Sequence, residues 1–181
     1  MAADKIELEI VTPKGKALAV SVDEVTAPSV NGEFGVLPGH LPVVCALRTG
    51  IVTYRIGSES KRVAVGPGFA EAGQNKLLIL AEEYAERQQI DPVLVRKELA
   101  EIQAKLEKVL AQMDMTPELE TEKKHLIDRE NWLAAQLELH GDPPAATMRP
   151  FEEYGPPVPP IVEEEDENKL KAPGGSVSGS P

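Results

Sequence analysis

Three histidines, one cysteine and several glycine-bearing loops are the places where this chain could do chemistry. His40 sits in Leu37-Pro38-Gly39-His40-Leu41-Pro42, where two prolines and a glycine stiffen the backbone. Histidine titrates near neutrality, so His40 with Glu33 could act as an acid–base pair in a small hydrolase or transferase. Such chemistry needs a nucleophile within reach, and no nucleophile motif stands beside His40. The residue reads better as part of a turn or an interface. His125 and His140 have no Cys or His partner at ligand spacing, so no metal site is expected. Gly32-Glu33-Phe34-Gly35 and Gly66-Pro67-Gly68-Phe69 match neither GxGxxG nor the Walker pattern, so no phosphate cradle is expected. Their glycines are expected to serve turns with positive φ. Cys45, in Pro42-Val43-Val44-Cys45-Ala46-Leu47, has no basic neighbour and reads as a core thiol. No cofactor is expected, and an interaction protein is favoured over an enzyme.

Composition narrows the partners. The net charge is -11 over 181 residues. No basic patch is visible, which disfavours nucleic acid. Aromatic residues make up only 4%, too few for a base-stacking surface. A lone thiol forms no internal disulfide and fits a reducing compartment. The start, MAADKIELEIV, resembles neither a secretory signal nor a transit sequence. No run approaches the ~20 apolar residues of a spanning helix, so membrane association is expected only through partners.

Three segments must position these residues. Residues 1–86 read as all β. Ile6, Leu8 and Ile10 alternate with Lys5, Glu7 and Glu9, the period of a strand with one buried face. Leu18, Val20 and Val22 repeat it, as do Val63 and Val65. Gly50 precedes a strand at Ile51–Ile56, and Gly57-Ser58 ends it. Gln74-Asn75 marks a turn before Leu77-Leu78-Ile79-Leu80-Ala81, a continuous apolar run expected to be buried on both faces. Short strands at this spacing predict a small sandwich or barrel.

Residues 87–140 read as two helices. Asp91 is a good N-cap and Pro92 suits the first helical position. Val95, Leu99, Ile102, Leu106, Val109 and Met113 recur at helical spacing, and Glu101 and Lys105 are expected to pair on the outside. The pattern breaks at Asp114–Pro117, where Thr116 can cap a second helix. Leu119, Leu126, Leu133 and Leu137 line that helix, with Ile127 and Trp132 nearby. A short link makes the pair an antiparallel hairpin whose seams must be covered by each other, by the β domain or by a partner.

Residues 141–181 hold 9 of the 16 prolines and the run Glu163-Glu164-Glu165-Asp166-Glu167, and are expected to be a disordered acidic tail. The expected class is α+β: an antiparallel β-sandwich, a helical hairpin and a Pro-rich tail.

The string Pro28-Ser29-Val30-Asn31-Gly32-Glu33-Phe34-Gly35-Val36-Leu37-Pro38-Gly39-His40-Leu41-Pro42, followed by Leu47-Arg48-Thr49-Gly50, resembles the signature G-x-x-G-[IV]-x-P-G-H-x-P of F-type ATP synthase epsilon subunits. Val65–Glu71, Asn75 and Leu78–Glu82 are similar to the second block of that family. The resemblance covers about residues 4–139.

It implies a ten-stranded sandwich at the foot of the rotor, touching the gamma subunit and the polar loops of the c-ring. The implied contact residues are Asn31, Gly32, Glu33, Phe34, Gly35, Leu37, Pro38, Gly39, His40 and Pro42. Glu33 matches the acidic residue that faces the c-ring loops. The hairpin, with seam residues Val95, Leu99, Ile102, Leu106, Val109, Leu126, Leu133 and Leu137, is implied to move. It lies folded on the sandwich or extends along gamma to the catalytic alpha and beta subunits, where it blocks ATP hydrolysis. The implied location is the cytoplasmic face of a bacterial inner membrane, held peripherally through the complex.

Two features depart from the pattern. Some relatives bind ATP through [IL]-D-x-x-R-A, and here Leu94 holds the arginine position. The second helix is arginine-rich in many relatives, whereas residues 117–140 carry Lys123, Lys124 and Arg129 against six acids. The rival readings are a free-standing sandwich adaptor and the small His40 enzyme.

Overall fold

The computed structural model describes residues 5–112 and 116–144, which comprise ten strands and two long helices. Residues 145–181 of the expected tail and the link at residues 113–115 lie outside the described residues. The strands are β1 (Ile6–Thr12), β2 (Gly15–Val22), β3 (Glu24–Ser29), β4 (Gly32–Val36), β5 (Val43–Leu47), β6 (Gly50–Ile56), β7 (Glu59–Val65), β8 (Gly68–Gly73), β9 (Lys76–Ala81) and β10 (Tyr84–Ala85). The helices are α1 (Pro92–Leu110) and α2 (Pro117–His140), entered through a 3₁₀ turn at Arg87–Gln89.

The strands run in the order β10-β7-β6-β3-β5-β8-β9-β1-β2, with β4 paired to β3. The path is nearly cut at one place, because β3 and β5 share only the Ser29–Leu47 pair. There the sheet turns over on itself, so that β3, β4, β6, β7 and β10 face β1, β2, β5, β8 and β9. The expected β-sandwich of about ten strands is present. Its ladders are antiparallel except that β1 and β9 run parallel.

Period-2 patterning selects the core. Ile6, Leu8 and Ile10 of β1, Val52 and Tyr54 of β6, Val63 and Val65 of β7, and Leu77 and Ile79 of β9 all point between the layers. Their burial supplies about 1.5–3 kcal/mol each for the large aliphatics against an exposed reference. The opposite face of β6 and β7 offers Ile51 and Ala64, and with Ala85 these meet the hairpin.

Local chemistry sets the helix ends. Asp91 accepts from the Val93 and Leu94 amides at 3.0 and 3.2 Å, with Pro92 at the first position. Thr116 Oγ1 accepts from the Leu119 amide at 3.4 Å. Helix α2 ends at Gly141, which adopts φ +97°, and the Gly141 and Asp142 amides both donate to Leu137 O.

Three local expectations are corrected. The run Leu77–Ala81 is buried on one face only: Leu77, Ile79 and Ala81 are inside, Leu78 is half-buried and Leu80 is 48% exposed. A continuous apolar run says nothing about which neighbour covers each face, and here no element of the described chain covers the second one. Glu101 and Lys105 form no ion pair; both are exposed, where ordering two long side chains offsets the Coulombic gain. Gly35, Gly66 and Gly68 do not have positive φ. Gly68 is required for another reason: a Cβ there would lie 1.9 Å from the Leu80 carbonyl oxygen. It marks close approach of two backbones.

Candidate docking surface

The predicted contact residues occupy two connections and the strand between them. Asn31 lies in the β3–β4 turn. Ser29 closes that turn, donating to Gly32 O at 2.7 Å and accepting from the Asn31 amide at 3.2 Å. Gly32, Glu33, Phe34 and Gly35 belong to β4. Phe34 packs partly against the core, while Glu33 is exposed and its carboxylate has no hydrogen bond or ion pair among the described residues.

Leu37, Pro38, Gly39, His40 and Pro42 form the loop into β5. The His40 amide donates to Leu37 O at 3.1 Å, and Gly39 has φ +80°. Proline second, glycine third and that hydrogen bond define a type II turn. It lifts Leu37 and Leu41 into solvent at 57% and 80% exposure. His40 Nδ1 lies 2.7 Å from Leu41 O, donating in the Nδ1-protonated tautomer. That contact ties the His40 ring to its own turn.

Sequence reasoning missed an exposed apolar surface on the outer sheet face. Cross-strand register aligns Ala46 of β5, Phe69 of β8, Leu80 of β9 and Val11 of β1 in one row across the outer face of the second layer. The adjoining row is Val44, Glu71, Leu78 and Glu9. Val44 is 68% and Phe69 60% exposed. Glu9, bonded to Lys16 and Lys76, bounds the patch; these lysines hold its carboxyl below the usual carboxylate range. Aligned large apolar groups across four strands, with a charged margin, are the composition of a protein–protein contact. The signal available in sequence was the extra apolar pair Leu78 and Leu80.

The hairpin seam divides into two clusters. Near its base, Val95, Leu99, Trp132, Leu133, Leu137 and Leu139 pack with Ala64 and Ala85 of the sandwich. Toward its tip, Leu106, Val109, Leu126 and Ile127 pack only with one another and with Ile102 and Leu119. Polar contacts also concentrate toward the base. Arg129 Nη2 lies 2.7 Å from Glu98 of α1, and its Nη1 lies 3.3 Å from Glu83 of the sandwich. Burial pushes the Glu83 carboxyl up, and the nearby Arg129 charge partly offsets this. Arg62 of β7 meets Glu138 at 3.1 Å, and Arg96 pairs with Asp142. Buried Glu130 accepts from Gln103 at 3.1 Å across the helices.

Little else on the molecule points to chemistry. Among the described residues no three His, Cys, Asp or Glu side chains gather as a metal site. Cys45 is half-buried and burial pushes its thiol up, away from the reactive thiolate. A cleft where α2 meets the β1–β2 turn is lined by Lys14, Glu82, Glu83, Tyr84, Trp132 and Gln136, a mixture of signs with no converging phosphate donors. Leu94, at the position of the nucleotide-motif arginine, is a solvent-exposed apolar group. No helix among the described residues is long and apolar enough to cross a membrane.

The described chain is a β-sandwich with an uncovered apolar face, a stiff projecting loop and a packed helical hairpin. Residues 5–88 match the family model of the ATP synthase delta/epsilon chain β-sandwich domain. The ATP synthase epsilon chain of Syntrophobacter fumaroxidans is 42% identical over 117 residues, covering 61% of this chain and 87% of that one. ATP synthase epsilon chain 2 of Syntrophotalea carbinolica is 38% identical over 104 residues, covering 58% and 75%. A chain in the Euglena gracilis mitochondrial ATP synthase structure of OSCP, F1 and c-ring superposes with a TM-score of 0.60 at 23% identity, over 74% of this chain and 82% of that one. That last likeness bears on the fold alone. The chain belongs to the ATP synthase epsilon chain family.

Proposed function

We propose that this chain is the non-catalytic central-stalk rotor subunit of a proton-translocating F-type ATP synthase. In this reading the sandwich links the c-ring to the gamma subunit, and the hairpin restrains ATP hydrolysis. The observation that carries it is the outer-face row Ala46, Phe69, Leu80 and Val11, in which Phe69 and Leu80 are exposed. A rotor part must hold its neighbour through every turn, and an apolar face over several strands suits a permanent partner, here gamma.

The projecting loop suits a second contact. Its turn is preset by Pro38, so docking costs little ordering entropy. The unpaired carboxylate of Glu33 is available for a basic group on the c-ring loops through a charge-assisted bond. The chain would thus be held peripherally at the cytoplasmic face of a bacterial membrane.

The divided seam supports a movable hairpin. The base cluster would be exchanged for gamma and the alpha and beta subunits when the hairpin extends, while the tip cluster needs no sheet residue and can travel intact.

The test is reconstitution. Membranes carrying the cognate synthase are stripped of this subunit, and proton-driven ATP synthesis is measured with and without added chain. Restored synthesis and lowered uncoupled hydrolysis are expected. Binding without any change in either rate would refute the rotor role.

A further inference from the structure

The turn that projects toward the proposed partner is held by a residue distant in sequence. Asn75 Oδ1 accepts from the Gly39 amide at 2.7 Å. Gly39 N–H belongs to the peptide joining Pro38 to Gly39, which is the central peptide of the turn. Type I and type II turns differ mainly by a flip of that peptide. Pro38 and Gly39 favour the type II form without excluding type I, because glycine in the third position tolerates either.

Asn75 is well placed to choose. It stands in the β8–β9 turn with φ +59°, beside Gln74 at φ +51°. Its carbonyl accepts from the Glu7 amide of β1 at 2.8 Å, which fixes it to the sheet. The end of β8 also runs close to the loop: a Cβ at Gly73 would lie 3.3 Å from Pro42 Cα. The β8–β9 hairpin therefore holds the loop at Gly39 and borders it at Pro42.

We infer that Asn75 is a positioning residue for partner binding: its side chain locks the Pro38–Gly39 peptide in the type II orientation and so presents Leu37 and Leu41 in one fixed arrangement. The inference rests on the proposed docking of this loop to the c-ring. Once the lock is lost, the binding-competent turn is only part of the population, and apparent affinity falls by that fraction. Loss of one hydrogen bond of ordinary net strength corresponds to roughly a two- to fivefold decrease.

Two substitutions separate the lock from the turn. Asn75→Gly keeps the left-handed backbone without strain but removes the acceptor. Asn75→Asp keeps an acceptor at the same place. In the isolated full chain, Gly39 amide exchange and line broadening are measured by NMR. Binding kinetics to detergent-purified cognate c-ring carrying gamma are measured in parallel. The expected result is a faster-exchanging, broadened Gly39 amide in Asn75→Gly only, with association about two- to fivefold slower and rescue by Asn75→Asp. An unchanged Gly39 amide in Asn75→Gly overturns the lock. A loosened Gly39 with unchanged association overturns the positioning role. Failure of the wild-type chain to bind would refute the docking, and with it the positioning role. The Gly39 comparison is made without the partner and still decides whether the lock exists.

Discussion

Arg129 on α2 bridges Glu98 on α1 and Glu83 on the sandwich, at 2.7 and 3.3 Å, so one guanidinium joins both helices of the hairpin to the sandwich. Arg129→Ala leaves two carboxylates facing each other without their cation. Since all three groups are about two-fifths exposed, solvent screening limits the loss to about 1 kcal/mol. The expected outcome is faster amide exchange in α1 and α2 with unchanged protection in β1 and β9. Lysine should restore this only in part, because it lacks the planar fork that serves two acceptors.

Core truncations should separate base from tip. Leu133→Ala removes a fully buried group from the cluster shared with the sandwich and should cost about 2–5 kcal/mol. Protease sensitivity should then rise along the whole hairpin. Leu106→Ala makes a similar cavity in the tip cluster, and its hydrogen-exchange effect should stay within the distal halves of the helices.

Gly68→Ala tests the close approach of β8 to β9. Its new Cβ would overlap the Leu80 carbonyl, which the ladder holds in place. A loss of roughly 3 kcal/mol or more is expected, seen as a large fall in thermal midpoint. Gly35→Ala, where no atom lies within 4 Å of the added carbon, should leave the midpoint nearly unchanged.

Acid sensitivity should trace partly to Asp23. The Gly57 amide, then Lys5 and Arg55, hold its carboxyl below the ordinary 3.8. A lowered folded value means the ionised form is favoured in the native state. Its stabilisation is present above 3.8 and disappears as pH falls through the lower native value. Asp23→Asn should therefore reduce stability at neutral pH and flatten the unfolding curve below pH 4. A variant with the wild-type acid slope would contradict this.

The elements that were legible in sequence are those whose partners lie close along the chain. Asp91-Pro92 announces α1 because a cap and its amides are neighbours. Ile6, Leu8 and Ile10 announce a one-sided strand because side-chain direction alternates locally. The expectation for Leu77–Ala81 failed because composition cannot tell a second covered face from one awaiting a partner. Gly68 was misread because its constraint comes from the neighbouring strand and not from its own φ. Likewise, Gly39–Asn75 and Arg129–Glu83 join residues 36 and 46 positions apart, and neither residue type carries a sign of its distant partner.

The outer face of β8 and β9 carries the proposed contact with gamma. Phe69→Ser with Leu80→Ser removes both large exposed apolar groups while leaving the core-facing Ala70, Leu77 and Ile79 untouched. The measurement is titration calorimetry of the cognate gamma subunit against wild-type chain and this double variant, with thermal melts of both. A wild-type chain that binds gamma and an equally stable variant that binds at least tenfold more weakly, about 1.4 kcal/mol, is the predicted result. A folded variant that binds gamma as tightly as wild type would contradict the docking face and the rotor reading built on it.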